Sequence, residues 1–136
     1  MTIRYTTDTN GIDWEKVRQT LIEDQFHNGR SAEQYAASFE NSHTAVIAHD
    51  GDQPVGTARV LSDGVVNAYI VDVWTYRPYR RQGIARQMLT MLEETVPGQH
   101  ICLWTEAAHG FYETLGYQQA SATLYEKMVG DWLNGA

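Results

Sequence analysis

The chain has 136 residues, of which 43% are hydrophobic, and its ten basic and seventeen acidic side chains give a formal net charge of −7. This length suits one compact globular domain, and we expect residues 1–136 to form it. The acidic balance argues against general nucleic-acid binding, which needs a clustered positive face. No apolar run is long enough to cross a membrane. The single cysteine, Cys102, cannot form an internal disulfide, so a cytoplasmic location is expected.

The first half of the chain is predicted to begin with helices and to continue with strands. A short strand near Ile3 to Thr6 precedes a helix whose N-cap is Asp13, and the capping-box spacing of Ser31 and Gln34 starts a second helix. Three segments rich in β-branched and aromatic residues follow, separated by Asp-Gly turn signals: 44–48, 55–61 and 65–75. Three consecutive strands joined by tight turns predict an antiparallel meander.

The second half changes to a helical pattern after Gly83, where apolar residues recur at helical spacing as far as a Pro-Gly pair. A short apolar strand at 101–105 is then expected to pair in parallel with the long strand. A short helix at 110–115, closed by Gly116, and a last strand at 124–129 complete the prediction. The sum is an α/β fold with a mixed, mostly antiparallel sheet flanked by helices.

Positive charge is concentrated where the long strand ends and the third helix begins. Arg77, Arg80, Arg81 and Arg86 lie within residues 73–92, which contain no acidic residue, so the rest of the chain has six basic against seventeen acidic side chains. The N–H groups at a helix N-terminus lack intrahelical partners, and the helix dipole is positive there. Arginines in that position make sense if an anion binds, and a glycine lets the anion approach the backbone. We therefore expect a phosphate or pyrophosphate group here.

Two common phosphate-binding loops do not match this stretch. A nucleoside-triphosphate loop needs Gly-Lys-Ser/Thr, and no lysine lies between Lys16 and Lys127. The dinucleotide fingerprint needs three glycines at fixed spacing, and this loop has one. Both nucleotide-binding classes are therefore excluded for the loop.

Two other motifs carry a family resemblance. Arg80-x-x-Gly83-x-Ala85 resembles the Arg/Gln-x-x-Gly-x-Gly/Ala motif of the GNAT superfamily of N-acetyltransferases, and it likewise follows a long strand and opens a helix. Downstream, the segment from Phe111 to Tyr117 is similar to that family's Phe-Tyr-x-x-Leu-Gly-Phe/Tyr sequence. The resemblance covers roughly residues 42–129. It implies the GNAT fold, in which a central parallel strand pair splays apart to hold acyl-CoA.

The resemblance also implies a cofactor site. The main chain of Val73 to Thr75 would pair with the pantetheine arm of acetyl-CoA, and the backbone of Arg81 to Arg86 would hold its pyrophosphate. The cofactor-binding residues implied in this way are Val73, Trp74, Thr75, Arg80, Arg81, Gln82, Gly83, Ile84, Ala85 and Arg86.

For catalysis, the resemblance assigns Tyr112 to the position whose phenol protonates the departing thiolate of CoA. A phenol has a pKa of about 10, close enough to that of a thiol for this transfer. Asp72, in the long strand, is a candidate base for the amine, although strand alternation can place it on the opposite face from its neighbours. Glu106 and His109 are alternative bases, and so is a relay of water molecules.

The expected activity is transfer of an acetyl group from acetyl-CoA directly to a primary amine of a small molecule or a protein. A non-catalytic acyl-CoA binding or sensing module is the alternative. No cluster of residues has metal-ligand spacing, so no metal is expected. The negative charge outside the arginine stretch favours cationic acceptors such as polyamines, amino sugars or protein amines. A homodimer is also expected from the resemblance.

Overall fold

The computed structural model of the chain describes residues 2–131, which form two compact units; the first ends at Leu103 and the second starts at Trp104. The helices are α1 (Trp14–Glu23), α2 (Ala32–Glu40), α3 (Ile84–Glu93) and α4 (His109–Thr114), with a 3₁₀ turn at Arg77–Tyr79. The strands are β1 (Ile3–Thr6), β2 (Thr44–Asp50), β3 (Gln53–Ser62), β4 (Asn67–Thr75) and β5 (His100–Cys102). Within residues 2–131, none of these helices has the length and apolar character needed to cross a membrane. The expectation of one domain stays a prediction.

A single five-stranded sheet organises the first unit, and its strands lie in chain order from β1 to β5. The first four strands pair antiparallel with their neighbours, whereas β5 pairs parallel with β4. This confirms the predicted mixed sheet with one parallel pair. The parallel contact is short, because β5 pairs with β4 only from Asn67 to Tyr69. From Ile70 to Thr75 the same edge of β4 has no strand partner among the described residues.

Helices cover both faces of the sheet. Ala45 and Ile47 of β2 share a core with α1, α2 and the ring of Trp74. Gly56 of β3 pairs with Ala48, so it lies on the opposite face, and there it meets side chains of α3. The sheet is therefore buried between α1 and α2 on one side and α3 on the other.

Local sequence signals account for where the early helices begin. The carboxylate of Asp13 accepts a hydrogen bond from the backbone N–H of Lys16, which confirms the predicted N-cap of α1. At α2, Ser31 and Gln34 each bond to the other's backbone N–H, which confirms the capping box. These caps need only neighbouring residues, so the sequence is sufficient to predict them.

Several element boundaries differ from the prediction, among them the short strand expected at 101–105, which is His100–Cys102, and two of the differences have an identifiable cause. The strand expected from Val65 begins at Asn67, because the carboxylate of Asp63 accepts the backbone N–H groups of Val65, Val66 and Asn67 and holds them in a turn. Helix α3 ends at Glu93, although Val96 is still buried. The Thr95 hydroxyl donates to the Leu92 carbonyl and so closes the helix early.

One prediction near the end of the chain is wrong. The expected strand at 124–129 is irregular in the structure, with Tyr125 90% exposed and Val129 87% exposed. An apolar alternation favours a strand only where a neighbouring strand supplies hydrogen-bond partners. Cys102 is exposed, because β5 is a three-residue edge strand that turns Ile101 inward and its two neighbours outward.

Close packing of α3 on β3 predicts a cost for enlarging Gly56. A Cβ atom at Gly56 would lie 3.0 Å from Met88 Cε, 3.2 Å from Ile84 Cγ2 and 3.2 Å from the Trp74 carbonyl oxygen. We expect Gly56→Ala to lower the free energy of unfolding by about 1–2 kcal/mol in a urea titration. Gly110→Ala, where no atom lies within 4 Å, is the control and should be neutral or slightly stabilising. Equal stability of the two variants would contradict this packing.

Candidate functional site

The loop before α3 has the backbone features of an anion site. Gly83 is the N-cap of α3 in the left-handed conformation, with φ of 82°, and no side chain caps the helix there. Arg81 also has a positive φ, of 65°, and is exposed. No atom lies within 4 Å of the place where a Cβ of Gly83 would be. The first N–H groups of α3 therefore face open space, where the helix dipole favours a negative charge.

The guanidinium group of Arg80 has a different role from the one the motif suggests. Its Nε donates to the Thr75 carbonyl oxygen at 3.0 Å, and its Nη2 contacts the Asp24 carboxylate at 3.1 Å. Asp24 is buried, and it also accepts a hydrogen bond from the indole Nε1 of Trp74 at 2.8 Å. Arg80 thus ties the loop to the end of β4. The part of Arg80 that is available to a ligand is therefore its backbone, together with the residues that follow it.

Asp24 is a site residue that sequence reasoning missed. It lies at the C-terminal cap of α1, where the helix dipole disfavours a carboxylate, and Arg77 and Arg80 both approach it. In the sequence, the only indication of a special role for Asp24 is that it is an acidic residue at a helix C-terminus. That position does not indicate which residues bind its carboxylate. Those partners lie fifty or more residues away in the chain.

The open edge of β4 lies beside this loop. Residues Val73 and Thr75 are half-buried, and the backbone from Ile70 onward meets no strand on the β5 side among the described residues. The Thr75 hydroxyl is buried, and no described residue hydrogen-bonds to it. A buried hydroxyl and an unpaired strand edge both need hydrogen-bond partners. An extended arm that carries amide groups, such as the pantetheine of CoA, fits this edge. The Trp74 ring, in contrast, is packed in the core and only its backbone reaches the edge.

Asp72 occupies a bulge in β4. The register shifts between Thr57 and Arg59 of β3, and Asp72 has a positive φ of 57°. Its carboxylate accepts hydrogen bonds from Arg30 at 2.7 and 3.0 Å and from Arg59 at 2.7 Å. Burial raises the pKa of Asp72, but the two guanidinium groups outweigh burial, so the pKa is lowered overall. A carboxylate stabilised in this way is a weak base, and this geometry argues against the expected role of Asp72 in proton abstraction.

The ion pairs of Asp72 predict a pH-dependent contribution to stability. At pH 7 we expect Asp72→Asn to lower the free energy of unfolding by about 3 kcal/mol, because two guanidinium groups lose their partner. A carboxyl with a lowered folded-state pKa stabilises the fold above its unfolded pKa of about 3.9. The difference between the variant and the wild type should therefore shrink as the pH falls below about 4.

Urea titrations at a series of pH values measure this difference. Asp52→Asn, at an exposed turn position, is the control and should cost little at any pH. A destabilisation by Asp72→Asn that stays constant from neutral to acidic pH would contradict the ion-pair explanation.

Tyr112 belongs to the second compact unit. It lies in α4, where its ring centroid is 5.1 Å from that of Phe111 and 5.9 Å, edge-on, from that of Tyr117. Burial raises the pKa of the Tyr112 phenol, so the group keeps its proton at neutral pH. The alternative bases Glu106 and His109 are exposed side chains of the same unit.

The predicted site residues thus divide between the two units. Residues 72–75 and 80–86 lie in the first unit, where Arg80 links the loop to β4. Tyr112 lies in the second. Among residues 2–131, no group of three histidine, cysteine or carboxylate side chains could hold a metal ion.

Comparisons with known proteins agree with the fold. Residues 12–117 match the model of the Acetyltransferase (GNAT) family. The uncharacterized protein YyaT of Bacillus subtilis is 28% identical over 130 residues, which cover 90% of this chain and 86% of YyaT. A Staphylococcus aureus protein named a probable acetyltransferase superposes with a TM-score of 0.77 at 20% identity, covering 93% of this chain and all of that one.

A predicted acetyltransferase from Clostridium acetobutylicum, solved with acetyl-CoA, superposes with a TM-score of 0.69 at 21% identity and covers 93% of this chain and 96% of its own. The family model spans both motifs that carry the resemblance, the arginine loop and the Tyr112 segment. The five-stranded mixed sheet, the loop at α3 and the match over most of the chain lead to one conclusion: the chain belongs to the GNAT family of acetyltransferases.

Proposed function

We propose that the protein transfers an acetyl group from acetyl-CoA to a primary amine of a small molecule or a protein. One observation carries the proposal: the unpaired edge of β4 leads into an uncapped helix N-terminus with exposed arginines. The strand edge offers N–H and C=O groups in a row, and the helix offers N–H groups and a positive dipole. Acetyl-CoA has amides in its arm and a pyrophosphate beyond them, in the matching order.

In this proposal, the backbone of Val73 to Thr75 holds the arm along β4, and the buried Thr75 hydroxyl gains the hydrogen-bond partner that it lacks. Residues 81–86 hold the pyrophosphate through backbone N–H groups, while Arg81 adds positive charge at the exposed rim. Asp24 acts indirectly, because it fixes Arg80 and through it the carbonyl of Thr75. The site is therefore organised before any ligand arrives.

Acetyl-CoA supplies the thioester carbon that the amine attacks and the thiolate that leaves. The amine nitrogen, once it has lost a proton to water, forms the new C–N bond as the C–S bond breaks. The second proton that then leaves the nitrogen passes through water and restores the Tyr112 phenol. Backbone N–H groups of the β4 edge stabilise the carbonyl oxygen. The Tyr112 phenol, which burial keeps protonated, donates its proton to the sulfur. A water relay is the base in this proposal because Asp72 is bound by two arginines.

The absence of a free carboxylate at Asp72 also favours a second candidate, a module that binds acyl-CoA without catalysis. One assay separates the two functions. The protein is incubated with acetyl-CoA and a broad panel of primary amines, and the release of free thiol is followed. Amine-dependent release with matching acetylated product supports the transferase. Saturable acetyl-CoA binding without such release supports the binding module, and no binding at saturating concentration contradicts both.

A further inference from the structure

Two arginines share one carboxylate at the bulge of β4. Arg30 reaches Asp72 from the segment between α1 and α2, and Arg59 reaches it from β3. The side chains of Arg30, Arg59 and Asp72 are only 9%, 14% and 15% exposed. Among the described residues, neither arginine has a second carboxylate within ion-pair distance. The cluster therefore holds one positive charge in excess in a largely dehydrated place.

Removing a guanidinium group from water is costly unless it is paired and hydrogen-bonded. Arg30 gains from the ring of Tyr35, whose centroid is 4.1 Å from its Cζ, and from Asn28 at 3.1 Å. Arg59 has fewer partners, since its Cζ lies 5.6 Å from the centroid of the Phe39 ring, a longer contact than that of Arg30. Its Nη1 makes only long contacts, of 3.3 and 3.4 Å, with α2 and the residues after it, and its Nη2 donates to no residue of the described chain. Arg59 thus has donors available for a ligand.

The cluster lies next to the edge that the proposed function uses. Asp72 is flanked by Val71 and Val73 on the open edge of β4, and its strained conformation is held by the Thr57 hydroxyl, which donates to the Asp72 carbonyl at 2.8 Å. Strained residues persist where the surrounding structure enforces them, and they are concentrated at functional sites. The bulge therefore places the two guanidinium groups at Asp72, which is three residues before Thr75 on the same strand.

An open cavity lies further along β3 and β4 from the cluster. Burial is the main cause that raises the pKa of the Tyr69 phenol, and the charges of Asp72 and Arg59 are smaller influences on it. Tyr69 therefore lies near both residues. Tyr69 also lines this cavity, of about 640 Å³, together with Leu61 and Cys102. Arg59 and Leu61 are two residues apart on β3, so they share a face of the sheet. Neither arginine lines this cavity, and its lining includes the acidic Asp63, so an acceptor meets Arg59 only where it extends beyond Tyr69.

We propose that Arg59, supported by Arg30, binds an anionic group of the acceptor, so that the preferred acceptors are amines that also carry a carboxylate or a phosphate. This inference rests on the proposed acetyl transfer. It reverses the expectation of cationic acceptors, because the local charge of the cluster is positive although the chain is acidic overall. Asp72 then acts as a positioning residue that sets the directions of both guanidinium groups.

Matched acceptors test this specificity. γ-Aminobutyrate is compared with its amide, which lacks the carboxylate, and with putrescine, which carries a second amine. Phosphoethanolamine is compared with ethanolamine, which lacks the phosphate. We expect kcat/KM to be about tenfold or more higher for each amine that carries an oxyanion than for its partner without one. The carboxylate and phosphate arms show which oxyanion is preferred.

The variants Arg59→Gln and Arg59→Lys show whether the preference arises at the cluster. With Arg59→Gln, the ratio of kcat/KM between each oxyanion-bearing amine and its partner without the oxyanion should fall by about tenfold, mainly through KM of the oxyanion-bearing amine. Arg59→Lys should restore part of the ratio. A purely structural arginine would lower both values together and leave the ratio unchanged, which would overturn the inference.

Two further results keep the inference separate from the proposed function. Preferred turnover of putrescine or of the amines without an oxyanion overturns the inferred acceptor class and leaves acetyl transfer in place. Saturable acetyl-CoA binding without turnover of any amine overturns acetyl transfer and, with it, the specificity that rests on it.

Discussion

Replacement of Gly83 by valine is expected to weaken acetyl-CoA binding by about tenfold or more. Gly83 has φ of 82°, a conformation that costs a residue with a Cβ about 1–2 kcal/mol. Valine also fills the open space above the first turn of α3, where no atom now lies within 4 Å. Either effect, a rotated backbone or an occupied space, removes hydrogen bonds between the backbone and the pyrophosphate.

Gly64→Val is the matched control for this variant. Gly64 has φ of 80°, also with no atom within 4 Å, and it lies in the turn between β3 and β4. The two variants should lose similar amounts of stability in urea, since the backbone strain is the same. Titration calorimetry should show weaker acetyl-CoA binding for Gly83→Val alone. Equal affinities of the two variants would contradict an anion site at the start of α3.

Tyr112→Phe is expected to lower kcat about a hundredfold while the Kd for acetyl-CoA changes by less than about twofold. The variant removes the proton that the leaving thiolate needs and keeps the aromatic packing with Phe111 and Tyr117. Because burial raises the pKa of Tyr112, its deprotonation should not reduce wild-type activity below about pH 10. Single-turnover kinetics at a series of pH values measure the loss of rate in the variant and the pH dependence of the wild type.

Tyr125→Phe is the control for a phenol outside the site, because Tyr125 is 90% exposed. It should leave kcat and the Kd for acetyl-CoA unchanged. If Tyr112→Phe also keeps the wild-type kcat when acetyl transfer limits the rate, Tyr112 does not protonate the sulfur.

Features that depend on neighbouring residues could be predicted from the sequence. The caps at Asp13 and Ser31 each join residues three apart. The tight turn between β2 and β3 and the left-handed Gly83 also follow from local residue preferences. The order of these elements, with one helix between the long strand and the next, was enough to predict the parallel pair.

Features that join distant parts of the chain could not be predicted in this way. The ion pair of Asp72 with Arg30 spans 42 residues, and the hydrogen bond of Trp74 to Asp24 spans 50. Strand alternation predicts which face of the sheet Asp72 lies on. It does not predict the bulge, because the bulge depends on how β4 pairs with β3. For the same reason the sequence identified Arg80 as part of the loop but not the carboxylate that holds its side chain.

The two charged clusters have separate roles in this interpretation. The arginines of residues 77–86 surround the cofactor loop, whereas Arg30 and Arg59 lie under the bulge of β4. A chain with a net charge of −7 can therefore present two local positive sites to its substrates. Net charge describes the surface as a whole and says little about either site.

Hydrogen exchange of the backbone amides, measured with and without saturating acetyl-CoA, tests the cofactor site most directly. Acetyl-CoA should slow exchange at amides within residues 70–75 and 81–86, because these groups gain hydrogen-bond partners. The amides of β1, at the far edge of the sheet, should exchange at the same rate in both conditions. Unchanged exchange in both segments, with acetyl-CoA bound, would contradict the assignment of this edge and loop to the cofactor.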